Sequence, residues 1–264
     1  MAPSFTTTRV ADWLALITST ILLALFALFH SKEIRRSQLI IALAITLAFA
    51  LLGRLTHGVS TSGAIAGALL AFLMAARDLR IFWVLLVVFA LTLVATRLGS
   101  SRKRQLRIAE SGSGRSASQV VANLGISGLL LALPSFGAWR ILALAALAEA
   151  AADTASSEIG TAFPGRTVLI STWRTVSPGV DGGISLTGTL AGLLAAATIG
   201  AFGVFVGLIP ASQAIAIACA GALGMLVDSL LGATLEKRRY LNNDFVNLFG
   251  TSSAVLLGWL LWMV

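Results

Sequence analysis

Three aspartates, Asp153, Asp228 and Asp244, sit in or at the ends of apolar runs. An ionised carboxylate at the centre of a bilayer costs a few kcal/mol or more, so such groups face a partner, an ion or water. Glu149 lies four residues before Asp153 on one helical face, and Ser156 and Ser157 extend that face in LAEAAADTASSEIG. Glu158 falls about 140° around from Asp153 and is expected to cap or reach from the helix end. Asp228 shares a face with Gly224 and Gly232, residues small enough to let a helix or ligand come close. NNDFVN opens the last apolar run and adds Asn242, Asn243, Asp244 and Asn247. Carboxylates with amide oxygens suit magnesium, a hard ion that keeps waters and takes substrate phosphates as ligands. The predicted ligands are Asp153, Glu158, Asp228, Asp244 and Asn247. Gln119, Asn123 and Ser127 form an i, i+4, i+8 stripe, and Gln119, Asn123 and Asn243 are further polar candidates. The competing reading of all these groups is hydrogen bonding between helices. No His/Cys zinc spacing occurs, and His30 and His57 read as interfacial.

The second chemical signal is SPGVDGGISLTG, residues 177–188, which runs straight into an apolar segment. A glycine loop at a helix start can offer backbone N–H groups and a positive dipole end to phosphate. Gly179, Asp181, Gly182, Gly183 and Ser185 are the nucleotide- or phosphate-binding candidates. Arg174, just upstream in ISTWRTVSPG, can pair with phosphate and offset charge during transfer, and Arg166 is a second candidate. The loop is neither GxGxxG nor a Walker loop, so its weight comes from company. It shares a predicted side with Arg174 and the helix ends that carry Asp153 and Asp244.

These groups need a membrane scaffold. Of 264 residues, 57% are hydrophobic and 11% charged, against about 25% charged in soluble domains. Nine apolar segments are expected near 11–30, 38–53, 59–76, 81–98, 117–134, 138–155, 184–206, 210–234 and 246–263, several near the length that spans a bilayer. The fold class is an all-α polytopic membrane protein. MAPSFTTTR shows no signal-peptide pattern, so the first run reads as a retained helix. The single cysteine, Cys219, reads as a small buried thiol and excludes a disulfide framework. The net charge of +8 belongs to loops rather than to a nucleic-acid surface. With nine spans, thirteen Lys and Arg lie on the side holding the N-terminus and loops 54–58, 99–116, 156–183 and 235–245, and six on the other. That marks the first side as cytoplasmic, against the local vote of SKEIRRS.

An internal repeat is also visible. GVSTSGAIAGALLA (58–71) aligns without a gap on GISLTGTLAGLLAA (183–196), SQVVANLG (118–125) resembles NNDFVNLF (242–249), and LVATRLGS (93–100) more loosely resembles LVDSLLGA (226–233). Segments three to five thus match seven to nine, an even offset that implies parallel copies. The expected layout is N-terminal helices over 1–53, then a membrane domain over 54–264. Within it lie copy one (about 58–134), a linking helix (138–155) and copy two (about 177–264). Asp181, Asp228, Glu236 and Asp244 face Thr56, Ala95, Lys103 and Val120 of the first copy, so the acidic chemistry lies in the second.

GRSASQVVANLG, AADTASSEIG, ISTWRTVSPGVDGGISLTG, LVDSLLGATLE and LNNDFVNLF together resemble the family that contains transmembrane protein 19 and the plant chloroplast phytyl-phosphate kinase. The resemblance runs from about residue 53 to the C-terminus. Ala155 departs from it, standing where the family usually has tryptophan, and the order of Asn and Asp in LNNDFVN varies. It implies a magnesium-dependent kinase that converts an isoprenoid monophosphate to the diphosphate with a nucleoside triphosphate, CTP favoured. Asp153, Asp228 and Arg174 would then be catalytic. The site would face the cytoplasm from a bacterial-type inner membrane. The rival expectation is a transporter or lipid flippase built on parallel repeats.

Overall fold

The structure, a computed structural model, describes residues 5–30, 32, 34–98, 114–135, 137–163 and 165–263, with side chains from residue 9 onward. Ser31, Glu33 and the basic stretch 99–113, with Lys103 of the repeat alignment, lie outside the described residues. Among the described residues are nine α-helices: α1 (Phe5–His30), α2 (Arg36–Leu55), α3 (Thr61–Arg77), α4 (Leu79–Arg97), α5 (Ala117–Ala132), α6 (Trp139–Ala162), α7 (Leu186–Phe205), α8 (Ala214–Leu231) and α9 (Asn243–Trp262). Six stretches, Arg9–His30, Arg36–Leu55, Leu79–Arg97, Leu186–Phe205, Ala211–Glu236 and Asn243–Trp262, are long and apolar enough to cross a membrane, and α3 and α5 are shorter apolar helices. The ninth, α6, is 24 residues long and carries Glu149, Asp153 and Glu158. The protein is an all-α polytopic membrane protein. Its elements match the apolar segments to within a few residues, except that α6 runs on to Ala162, so Glu158 lies inside the helix rather than beyond its end.

Helix starts leave N–H groups without intrahelical partners, and lipid offers none. The sequence supplies them locally. Ser60 accepts from Gly63 N at 3.1 Å, Ser185 from Gly188 N at 3.2 Å and Asn242 from Phe245 N at 3.0 Å. Ser116 and Gln119 form a reciprocal capping box at the start of α5, a pattern that stabilises the first turn. The serine caps of α3 and α7 fall at matching positions of the two aligned segments. Their surroundings differ, since Gly63 abuts the carbonyl of Arg115 and Gly188 the carbonyl of Ser156.

The described residues fall into two compact units, one drawn from 1–82 and 110–139, the other from 83–109 and 140–264. In the first, α3 packs on α1, α2 and α5. Asp12 of α1 ties two helix starts together, accepting from Ser62 Oγ at 2.6 Å and from Ser118 N at 3.2 Å. At the other end of α1, His30 Nε2 lies 3.0 Å from the Leu133 carbonyl and Nδ1 3.1 Å from the Arg77 guanidinium, which also bonds Ser135. His30 is therefore buried, 2% exposed, at the end of the apolar stretch Arg9–His30. A short apolar run hides such a role because its partners are backbone and a distant arginine.

In the second unit α6 is the axis. Ala143 to Ala152 is almost wholly buried, and its alanines let three helices come close. A Cβ on Gly188 or Gly192 of α7 would sit 2.7 Å from the Ser156 carbonyl oxygen or 3.0 Å from that of Ala152, while Gly221 of α8 meets Ala148 and Gly258 of α9 meets Ala145. Small residues of this kind admit close backbone approach in membrane bundles. Cys219 lies on an exposed face of α8. The apolar run around it cannot distinguish an outward position from the expected buried one.

Gly188→Val forces its branched side chain onto the Ser156 carbonyl and the Gly160 Cα, both backbone. It is expected to destabilise the protein by about 1–3 kcal/mol, read as a lower thermal unfolding midpoint in detergent. Gly165→Ala, which meets nothing within 4 Å, should leave the midpoint unchanged.

Candidate functional site

At one end of the second unit the chain places the C-terminal half of α6, the start of α7, the end of α8 and the start of α9. The acidic residues gather there. Asp228 is 8% exposed and lies within reach of Asp153, half-buried on α6, while Glu149 and Glu236 are also within electrostatic reach of these groups. Glu236 in turn lies within reach of Asp181, Asp153 and Asp244. Six carboxylates, from two helices, the glycine loop, the turn after α8 and the first turn of α9, thus form one neighbourhood. Asp244 is half-buried and stands where the helix dipole favours a negative charge. Asn247 follows one turn later, half-buried, and Asn243 is exposed at the start of the helix.

Three of the five expected metal ligands, Asp153, Asp228 and Asp244, therefore belong to one electrostatic cluster. Glu149 and Glu236 join them although neither was a selected ligand. Glu236 had a visible signal, since Asp228, Gly232 and Glu236 recur every four residues. What brings it into place is a π turn over Gly232–Glu236, with Lys237 N bonded to the Gly232 carbonyl at 3.2 Å, and that widening is not written in the spacing. Glu158 is half-buried in the penultimate turn of α6. Gln119 and Asn123 belong to the other unit and have local tasks there. The Gln119 side chain closes the capping box, and Asn123 Nδ2 donates to the Gln119 carbonyl at 2.9 Å.

The glycine loop is more ordered than a free phosphate loop. Strand β1 (Thr167–Leu169) pairs antiparallel with β2 (Gly183–Ser185), with Val168 opposite Ile184. Its other edge takes Leu169 N to the Arg174 carbonyl and Val176 N to the Thr167 carbonyl. The TVLIS stretch supplies the β-branched residues such pairing favours. Gly183 N donates to the Val180 carbonyl at 2.8 Å, and the buried Ser185 hydroxyl caps α7. Gly182 adopts φ +73°, and a Cβ there would overlap the backbone of Ala233 in the π turn. Three candidates thus serve the loop's own fold, while Gly179, Asp181 and Arg174 are exposed on it. Arg174 follows Trp173, whose φ of 58° is rare for a residue with a side chain.

Residues 44–260 match the family described as integral membrane protein DUF92. The chain belongs to the DUF92 family. Relatives include the membrane protein MJ0933 of Methanocaldococcus jannaschii, 32% identical over 85% of this chain and 94% of that protein. The chloroplastic protein VTE6 of Arabidopsis thaliana is 32% identical over 75% of this chain, which spans 63% of VTE6. Protein PGR of the same plant is 31% identical over 66% of this chain and 71% of its own length. No solved structure matches the chain.

The acidic end of this DUF92 chain also bears on magnesium. Among the described residues no three His, Cys, Asp or Glu side chains are set to cage an ion. Magnesium rarely uses such a cage, taking one or two carboxylates and completing its shell with water and phosphate. The donor chemistry fits, because Asp153, Asp228 and Asp244 bring carboxylate oxygens from three helices into one cluster.

Gly182→Ala should detach the glycine loop from the π turn. About 2 kcal/mol of strain and overlap is expected, seen as faster protease cleavage between residues 165 and 182.

Proposed function

We propose that this protein is a membrane-embedded phosphotransferase that converts an isoprenoid monophosphate to the diphosphate at the cytoplasmic face, with a nucleoside triphosphate, CTP favoured, as donor. The observation that carries the proposal is the gathering of six carboxylates from five parts of the chain at one end of an apolar helical unit, one of them on the glycine loop that follows the exposed Arg174. Kinship with VTE6 and the resemblance to the phytyl-phosphate kinase family support the same reading. The cytoplasmic assignment rests on the excess of Lys and Arg on that side.

Asp153, Asp228 and Asp244, with Glu158 and Asn247, would hold magnesium, which when bound neutralises phosphate charge. Gly179 and Asp181 border the exposed edge of the loop, where donor phosphates have room. Arg174 supplies a cation for the charge that spreads over the transferred group. An acceptor phosphate oxygen attacks the terminal phosphorus, the bond from that phosphorus to its bridging oxygen breaks, and the nucleoside diphosphate leaves. The attacking oxygen is already anionic, so the protein needs no general base, and positioning with electrostatic stabilisation supplies the catalysis. The isoprenoid tail stays among the small-residue helices while its phosphate reaches the polar end.

Purified protein given CTP, magnesium and phytyl or geranylgeranyl phosphate should yield the diphosphate. Absence of product from every isoprenoid phosphate and nucleotide tried would sink the proposal. Asp228→Asn and Arg174→Ala should each lower kcat about a hundredfold or more with the thermal midpoint retained. Equal loss in Gly165→Ala would show that the assay reports general damage instead.

A further inference from the structure

Glu149 plays no part in the phosphotransfer just described, yet it is the most deeply buried of the unit's described carboxyls. It is 1% exposed, and its Oε1 has no hydrogen-bond partner. Asp228 is 8% exposed and its Oδ2 is likewise unpartnered. The two oxygens come from different helices, α6 and α8, and turn toward one place beside Gly250 of α9. A Cβ on Gly250 would overlap Glu149 Oε1 and lie 3.1 Å from Asp228 Oδ2. Facing it, a Cβ on Gly224 would lie 2.8 Å from Glu149 Cγ and 3.1 Å from the Gly250 carbonyl oxygen. Glycine at both positions thus lets the two carboxylate oxygens and the Gly250 carbonyl oxygen converge between neighbouring helices. Gly250 is seven residues into α9, about 10 Å below its first turn at 1.5 Å per residue.

A buried carboxylate oxygen without a donor is costly, and a second one beside it adds repulsion. A cation between them removes both penalties. We propose that Glu149 and Asp228 form an interior site beside Gly250 that holds one divalent cation, separate from the mouth where Asp181, Glu236 and Asp244 gather. The double charge balances the two carboxylates. Asp228 faces both places, with one oxygen toward this site and Asp153 within reach. The site goes beyond the phosphotransfer reading and does not rest on it.

The test titrates the full-length protein in detergent with MnCl2, without nucleotide or lipid phosphate, and counts bound ion from the loss of the free Mn2+ signal in electron paramagnetic resonance. The wild type and Asp244→Asn should retain the interior equivalent. Glu149→Gln and Gly250→Ala should each lose it, with affinity at least tenfold weaker and no rise of the thermal midpoint on adding Mn2+. Gly250→Ala keeps both carboxylates but drives a methyl group onto Glu149 Oε1, so its loss separates the geometry of the site from simple removal of charge. Should one variant fail to fold, the other decides. A wild type that takes up no Mn2+ at millimolar concentration, or a folded variant of either kind that keeps the equivalent, overturns the inference. The ion count and the kinase assay fail separately. Bound Mn2+ without product removes only the phosphotransfer reading, and product with an unaltered count in Glu149→Gln removes only the interior site.

Discussion

Carrying Glu149 and Asp153 on a helix buried along most of its length is the constraint on which the second unit depends. Carboxylates in an apolar bundle must meet counter-charge, a hydrogen-bond donor or water. Helix α6 is otherwise alanine-rich, and its neighbours bring glycines to the contact surface, so their backbones approach closely around the two acids. Close packing and acid burial are therefore one arrangement. The narrow cross-section that lets α7, α8 and α9 surround α6 also brings Asp228 and Glu149 together beside Gly250. Glycine at that position permits the approach, where an alanine Cβ would overlap Glu149 Oε1.

Much of this was legible in the sequence, for physical reasons that can be named. Long apolar runs report helices directly, and all nine segments correspond to helices. Asp153, Asp228 and Asp244 stood out because a charge in an apolar run is conspicuous. The end of α6 was placed too early because AADTASSEIG turns polar while remaining helical, and hydropathy reports lipid contact rather than backbone conformation. The β pair of the glycine loop depends on three residues in each strand, too few to form a pattern. Gln119 looked like a site residue because an amide in a capping box and an amide beside a ligand have the same signature in sequence. The burial of His30 depends on the Leu133 carbonyl and Arg77, partners far along the chain.

The two exposed turns near the acidic cluster share an unusual backbone. Trp173 has φ 58° and Arg239 has φ 63°, a conformation that costs roughly 1–2 kcal/mol for a residue with a Cβ. Trp173 precedes Arg174, and Arg239 precedes Tyr240, with both rings exposed. Aromatic and basic side chains of this kind favour the headgroup layer of a bilayer. Glu149, Asp153 and Asp228 are held on packed helices, while Arg174 and Arg239 stand on exposed turns.

The π turn at Gly232–Glu236 makes the acidic cluster a matter of how the backbone winds. A π turn contains one residue more than the α-helix it interrupts. Wound as regular α-helix, the same five residues would swing everything beyond them by about 100°. Glu236 would leave the neighbourhood of Asp153 and Asp244 with no acidic residue changed. Two chains with the same carboxylates could thus differ in whether those groups meet, and the difference would lie in how the backbone between Asp228 and Glu236 is wound.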